Sequence, residues 1–176
     1  MYPKVKCARC GTCCSEPIVP ITHKDLERLV EYTGKAASDI VRFCSPSEME
    51  YDPDAGLWIR FRYGKRAMVL KKRYERCIFL SSEPGCTAYP ARPQTCRTFP
   101  YSVDTEAGES GEEVEITLNK IVNCKAKKSS QIEIQTPLDD VYKENCDDYE
   151  YDQLVSRFNA SGNQGGTADF LKFLGF

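Results

Sequence analysis

The chain has 176 residues, 41% hydrophobic and 28% charged, with a formal net charge of -2. That balance describes one ordinary globular domain rather than a disordered chain, and it supplies no global charge excess to draw the protein to nucleic acid or to an anionic membrane. No stretch approaches the ~20 apolar residues of a membrane-spanning helix, and the opening MYPKVKCARC lacks the apolar run of a secretory signal, so a cytoplasmic location and no membrane partner are expected.

In chain order, CARCGTCC (Cys7 to Cys14) is followed by an extended stretch punctuated by Pro17 and Pro20. Thr22 is placed to cap a helix, with Asp25 at the capping-box position and Leu26, Leu29 and Val30 on an apolar face that stops at Gly34. A second short helix is expected from Ser38 to Phe43, ending before Pro46. LWIRFRY alternates, with Leu57, Ile59, Phe61 and Tyr63 facing one way. Gly64-Lys65 is read as the turn, and AMVLKK as the returning strand of a hairpin. CIFL, from Cys77, reads as a third short strand. Residues 81 to 100 read as loop, stiffened by Pro84, Pro90, Pro93 and Pro100. TEAGESGEE is an acidic surface loop, and VEITL is one more strand. Thr136-Pro137 opens a helix whose Leu138, Val141, Tyr142, Cys146 and Tyr149 recur at helical spacing. NASGNQGG connects to a short C-terminal helix, ADFLKFLGF, apolar enough to dock. The expected fold is a small single α+β domain over 1–176, a short β-hairpin and helices with a loop-borne cysteine site at about 7–124 and a helical part at about 136–176.

Ten cysteines are many for a chain with no sign of export. They fall into two groups distant in sequence: Cys7, Cys10, Cys13 and Cys14, then Cys77, Cys86 and Cys96, with Cys124 further on. Two-residue spacers place successive sulfurs about one turn apart, the spacing at which a tetrahedral ion or a cluster collects them. Gly11 and Gly85 lie beside cysteines, where a bare backbone can approach sulfur and donate N–H bonds to it. A disulfide network fits less well, because adjacent Cys13 and Cys14 make awkward partners and a reducing compartment is expected. A thioredoxin-like pair lacks its βαβ surroundings. Cys146 sits on the apolar stripe of its helix and reads as a buried core thiol packed with Val141, Tyr142 and Tyr149. Cys44 is left between the two roles. His23, the single histidine, reads as an ordinary surface residue at a helix start.

CARCGTCC followed by CIFLSSEPGCTAYPARPQTCRTFP resembles the CxxCxxCC cysteine-cluster family, the YkgJ-like group of zinc- or iron-chelating domains. The shared pattern is the early four-cysteine run, then Cys77 and Cys86, then Arg92-Pro93, Cys96-Arg97 and Phe99-Pro100. The resemblance runs from Cys7 to Pro100, with Cys124 a last member, and implies metal binding with little said of its purpose. Flagellin lysine N-methylases resemble the group too, which brings a cluster-dependent modification enzyme into view.

Seven or eight thiolates are about twice what one tetrahedral zinc takes. The Cys-x2-Cys-x2-Cys run followed by distant cysteines is closer to ferredoxin-type ligation than to a zinc finger, so an iron–sulfur cluster is favoured over zinc by a narrow margin. Four thiolates around zinc or a cubane core carry net negative charge, which Arg97 is placed to offset, with Arg92 and Arg9 sharing that work. The basic run from Arg60 to Arg76, interleaved with Phe61, Tyr63 and Tyr74, suits a solvated strand face better than a nucleic-acid grip. Three functions follow: a cytoplasmic metal-binding protein carrying electrons to a redox partner protein, a cluster-dependent modification enzyme, and a zinc-stabilised interaction module using the basic hairpin.

Overall fold

Apolar alternation and helix caps decide most of the architecture, which is α+β. The computed structural model describes residues 5–7, 10–15, 18–81, 85–104, 115–118, 127–128, 135–162 and 165–176. Thr22 and Asp25 form the expected capping box at the start of α1 (His23–Thr33). Thr22 Oγ1 accepts from the Asp25 amide at 3.3 Å, and Asp25 Oδ2 accepts from the Thr22 amide at 3.0 Å. Gly34, at φ 67°, closes the helix in the left-handed conformation that favours glycine.

The next segment departs from expectation. A single helical turn, α2 (Ala37–Ile40), gives way at Val41 to strand β2 (Val41–Cys44). Antiparallel pairing with β4 (Gly64–Leu70) overrides the helical reading of 41–43, and Val41 and Phe43 suit a strand. β4 lies at the centre of a three-stranded antiparallel sheet, between β2 and β3 (Ile59–Phe61). The β3–β4 turn falls at Arg62-Tyr63, with Gly64 already paired to Phe61, two residues earlier than Gly64-Lys65.

This sheet is covered on both faces. Ile59, Phe61, Met68, Leu70 and Val41 look into the main core, with Leu26, Leu29, Tyr151, Val155, Phe158 and Phe170. Trp58, Cys44, Ala67 and Val69 look the other way, into a smaller cluster closed by Met49. Cys44 is fully buried there, its Sγ 2.9 Å from Met49 Sδ.

The expected third strand at CIFL is replaced by a tight hairpin, β5 (Lys72–Arg73) with β6 (Arg76–Cys77). Tyr74 and Glu75 both take positive φ, 51° and 59°, as a type I′ turn requires. Within 81–100, a 3₁₀ turn at Tyr89–Ala91 and a short helix, α3 (Gln94–Thr98), appear where only loop was expected. Two further strand pairs are β1 (Val5–Lys6) with β9 (Lys127–Lys128), and β7 (Tyr101–Asp104) with β8 (Glu115–Leu118). The acidic loop at 105–113 lies outside the described residues.

The long helix α4 (Gln135–Ala160) is present, but its inner face is not the one the apolar spacing selects. Tyr142 and Tyr149 are 73% and 68% exposed, and Cys146 is half-buried. The buried positions are Pro137, Asp147, Tyr151, Val155 and Phe158. Asp147 is drawn inward by cations: Lys143 at 2.8 Å, Lys24 at 3.3 Å and Arg28 at 3.9 Å. Near its end, Asn159 accepts from the Arg60 amide at 2.7 Å and donates to the Trp58 carbonyl at 2.9 Å, which ties the helix to β3. The C-terminal helix α5 (Thr167–Phe173) docks through Phe170 and Leu171, as its composition suggested. No helix among the described residues is long and apolar enough to cross a membrane.

Candidate metal centre

The two cysteine groups, some sixty residues apart in sequence, border one chamber. Cys7, Cys10, Cys13, Cys14, Cys77, Cys86 and Cys96 all line a cavity of about 210 Å³. Its remaining wall is mostly apolar, with Ile18, Val19, Leu29, Leu70, Phe79, Leu80 and Phe99, together with Lys72 and Arg92.

Several local devices deliver the thiols. Cys7 directly follows β1, which β9 holds through Lys6–Lys127 pairing. Gly11, at φ 79°, starts a 3₁₀ turn over Thr12–Cys14, which the Cys14 amide closes onto the Gly11 carbonyl at 3.0 Å. A side chain at Gly11 would meet Leu80 Cδ1 at 3.0 Å, so glycine answers both the backbone angle and the close approach. Lys72 Nζ donates to the Ser15 carbonyl at 3.0 Å, fastening this turn to β5. Cys77 ends β6, and Cys86 forms an antiparallel bridge with Leu80.

Cys96 rides on α3, whose position depends on Asp25. The Gln94 amide donates to Asp25 Oδ1 at 2.9 Å, and Gln94 Nε2 donates to the Asp140 carbonyl at 2.9 Å and to Asp140 Oδ1 at 3.1 Å. Arg28 pairs with the same Asp25 oxygen. Asp25 therefore caps α1 and positions a thiol-bearing helix 69 residues away. Sequence reasoning saw only the cap; no local signal marks the second role.

The electrostatics are those of crowded sulfurs in apolar surroundings. The Cys13 thiol is pushed up by its hydrogen bond with Cys14, then by burial and by the negative charge that Cys14 and Cys10 would carry. Burial raises Cys96, and Cys77, Cys13 and Cys86 add to it. Burial raises Cys77 and Cys86 as well, with Arg92 working in the opposite direction on Cys86. Neutral thiols are favoured until an opposite charge enters, and a thiophilic cation is the species that supplies it. As the side chains stand, no three Cys, His, Asp or Glu groups among the described residues are gathered tightly enough to grip an ion.

The other candidates fall elsewhere. Cys124 and Arg9 lie outside the described residues. Cys44 belongs to the small Trp58 cluster, and Cys146 does not line the chamber. Arg97 does not line it either: its Nε donates to the Arg92 carbonyl at 3.3 Å and its Nη2 to the Pro90 carbonyl. His23 is half-buried beside Tyr151, ring centroids 6.2 Å apart, rather than free on the surface. Within the basic run, Lys65 and Arg66 lie on β4 and Lys72 to Arg76 on the β5–β6 hairpin, with the buried Ala67, Met68, Val69 and Leu70 between them.

A profile of the CxxCxxCC family, described as "Putative zinc- or iron-chelating domain", matches residues 6–125. The chain belongs to this family. Metal chelation is the chemistry that the family's description names, and the chamber holds the thiols suited to it. An uncharacterized protein of Methanocaldococcus jannaschii is 32% identical over 104 residues, 58% of this chain and 48% of that relative, so the match spans about half of the relative's length. No solved structure matches.

Proposed function

We propose that the chamber binds an iron–sulfur centre through Cys7, Cys10, Cys13, Cys14, Cys77, Cys86 and Cys96, with Cys124 as an eighth donor. On this reading the protein carries electrons to a redox partner protein in the cytoplasm. The observation that supports it is the donor set. Seven thiols border one apolar space where a tetrahedral zinc ion takes four, and among the described residues no His, Asp or Glu lines it. When bound, such a centre supplies one-electron exchange. The chain's own residues do the rest. Leu29, Leu70, Phe79 and Phe99 exclude water, and the exposed Cys7 and Cys10 leave one side of the chamber open to a partner.

Metal and sulfide analysis of anaerobically purified protein, with its visible spectrum, tests the reading. The expected result is a brown protein containing iron and acid-labile sulfide, whose colour bleaches on reduction and is lost in Cys96→Ser. A colourless protein containing stoichiometric zinc would transfer the same residues to a zinc-stabilised interaction module. A folded protein that takes up neither metal would end both readings.

A further inference from the structure

Among the described residues three cations stand close to the thiol chamber, and two have donors committed to backbone. Lys72 Nζ reaches Ser15, and Arg97 clamps the carbonyls of Arg92 and Pro90. Arg92 differs. It lines the chamber, with its guanidinium over the Tyr89 ring at 4.0 Å from the centroid and Nη1 at a long 3.4 Å from the Tyr89 carbonyl. Among the described residues its buried Nε has no acceptor, and no carboxylate forms an ion pair with it. A guanidinium presents its N–H groups in a rigid fork, and a buried, charged donor left unmade is costly, so such groups are rare without an acceptor. Among the described lining residues the side-chain acceptors are seven cysteine sulfurs and the hydroxyls of Tyr89 and Thr95, and sulfur becomes a strong acceptor when it is thiolate.

We propose that Arg92 is a positioning residue for the metal centre, its Nε–H donating to a sulfur of the loaded chamber while Tyr89 holds the guanidinium plane in place. This rests on the chamber holding a thiolate-ligated metal. It divides the labour of the two arginines in the Arg92–Arg97 segment: Arg97 braces the turn that leads into α3, the helix that carries Cys96, and Arg92 supplies a directed donor. Charge alone is not the claim, because Lys at the same position keeps the charge but has neither the planar fork nor the stack on Tyr89.

The test compares wild type, Arg92→Gln and Arg92→Lys, each loaded with the metal that the wild type carries on anaerobic purification and then titrated against a competing chelator. Losing one charge-assisted hydrogen bond should weaken metal retention by about 10- to 100-fold in Arg92→Gln. Arg92→Lys should recover less than half of that loss on a logarithmic scale. In ¹⁵N-labelled wild type, the Arg92 Nε–H signal should shift on loading and exchange with water at least tenfold more slowly than in metal-free protein. This readout does not depend on either variant folding. Retention within twofold of wild type in a folded Arg92→Gln, full rescue by Arg92→Lys, or an Nε–H signal indifferent to loading would each overturn the inference. A wild type that takes up no metal fails at the earlier step and takes this inference with it; equal retention in all three proteins removes this inference alone.

Discussion

Around Phe170 five aromatic rings gather: Phe43, Phe61, Tyr151 and Phe158 meet it nearly edge-on at 5.0–6.4 Å between centroids, and Phe173 stacks at 6.2 Å. Around Cys96 the surroundings are of the opposite kind: a two-residue bridge, a 3₁₀ turn, a five-residue helix and seven thiols around about 210 Å³ of space. The first region is closed by burial alone, since edge-to-face aromatics add directional attraction to the transfer of their area from water. The second has few ladder bonds and places groups that repel one another once ionised. A fold with a self-sufficient half can carry a half whose order depends on a ligand.

Phe170→Ala breaks the first region and should have the largest effect. It removes the ring on which the other five converge, and a buried Phe→Ala change costs about 3–5 kcal/mol. Urea unfolding should show that loss in metal-free and loaded protein alike. A cost below about 1 kcal/mol would mean that the aromatic half is not the independent one, and a cost seen only in loaded protein would mean that the metal centre holds it together.

Asp25 joins the halves, so its substitution sharpens the comparison. The carboxylate is 1% exposed and holds the Thr22 amide, the Gln94 amide and Arg28. Asp25→Ala should cost about 2–3 kcal/mol, because it leaves the Thr22 and Gln94 amides without their charged acceptor and Arg28 without its nearer carboxylate. Unlike Phe170→Ala, it should also loosen α3 and with it Cys96, so chelator competition should show weaker metal retention at a denaturant concentration where the protein stays folded. Unchanged retention would mean that α3 is positioned by Asp140 and the packing of α4, with Asp25 only a cap.

The self-sufficient half was largely legible in the sequence and the thiol half was not, for local reasons. The α1 capping box, the Ile59–Phe61 alternation and the apolar C-terminal helix each carry their instruction within a few residues. The β5–β6 turn carries none, because Tyr74-Glu75 is not a glycine- or asparagine-bearing pair of the kind that signals two positive φ angles. α3 was hidden by Pro93, which reads as a breaker but stands at its N-terminal cap, where no amide is needed. The apolar stripe of α4 pointed to the wrong face. The helix rests its first half on Gln94 through Asp140 and sinks Asp147 among Lys24, Arg28 and Lys143, so a polar network sets its rotation and leaves Tyr142 and Tyr149 in solvent. That the cysteines were two groups could be read from spacing; that they border one chamber required β4, β5 and α1 to bring residues 10–15 against 77–96.

The smallest effects come from the cysteines outside the chamber, and they bear on where the thiol region ends. Cys44 is fully buried against Met49 and Ala67 on the far side of β4, so Cys44→Ala should cost about 1 kcal/mol through a small cavity and leave metal content unchanged. Cys146 is half-buried on α4, next to Asp147 and between two exposed tyrosines, so the cavity expected of a core thiol is not created when it is shortened. Cys146→Ala should shift stability by no more than about 0.5 kcal/mol, also with full metal content. The contrast is with Cys124, three residues before Lys127, the strand partner of Lys6 beside Cys7. That pairing sets Lys127 beside Lys6, next to Cys7, and Cys124→Ala should lower metal content or retention. Metal analysis of the three alanine variants separates the cases. If Cys146→Ala empties the centre while Cys124→Ala leaves it full, the eighth donor comes from α4, and the boundary between the two regions runs through that helix rather than beside it.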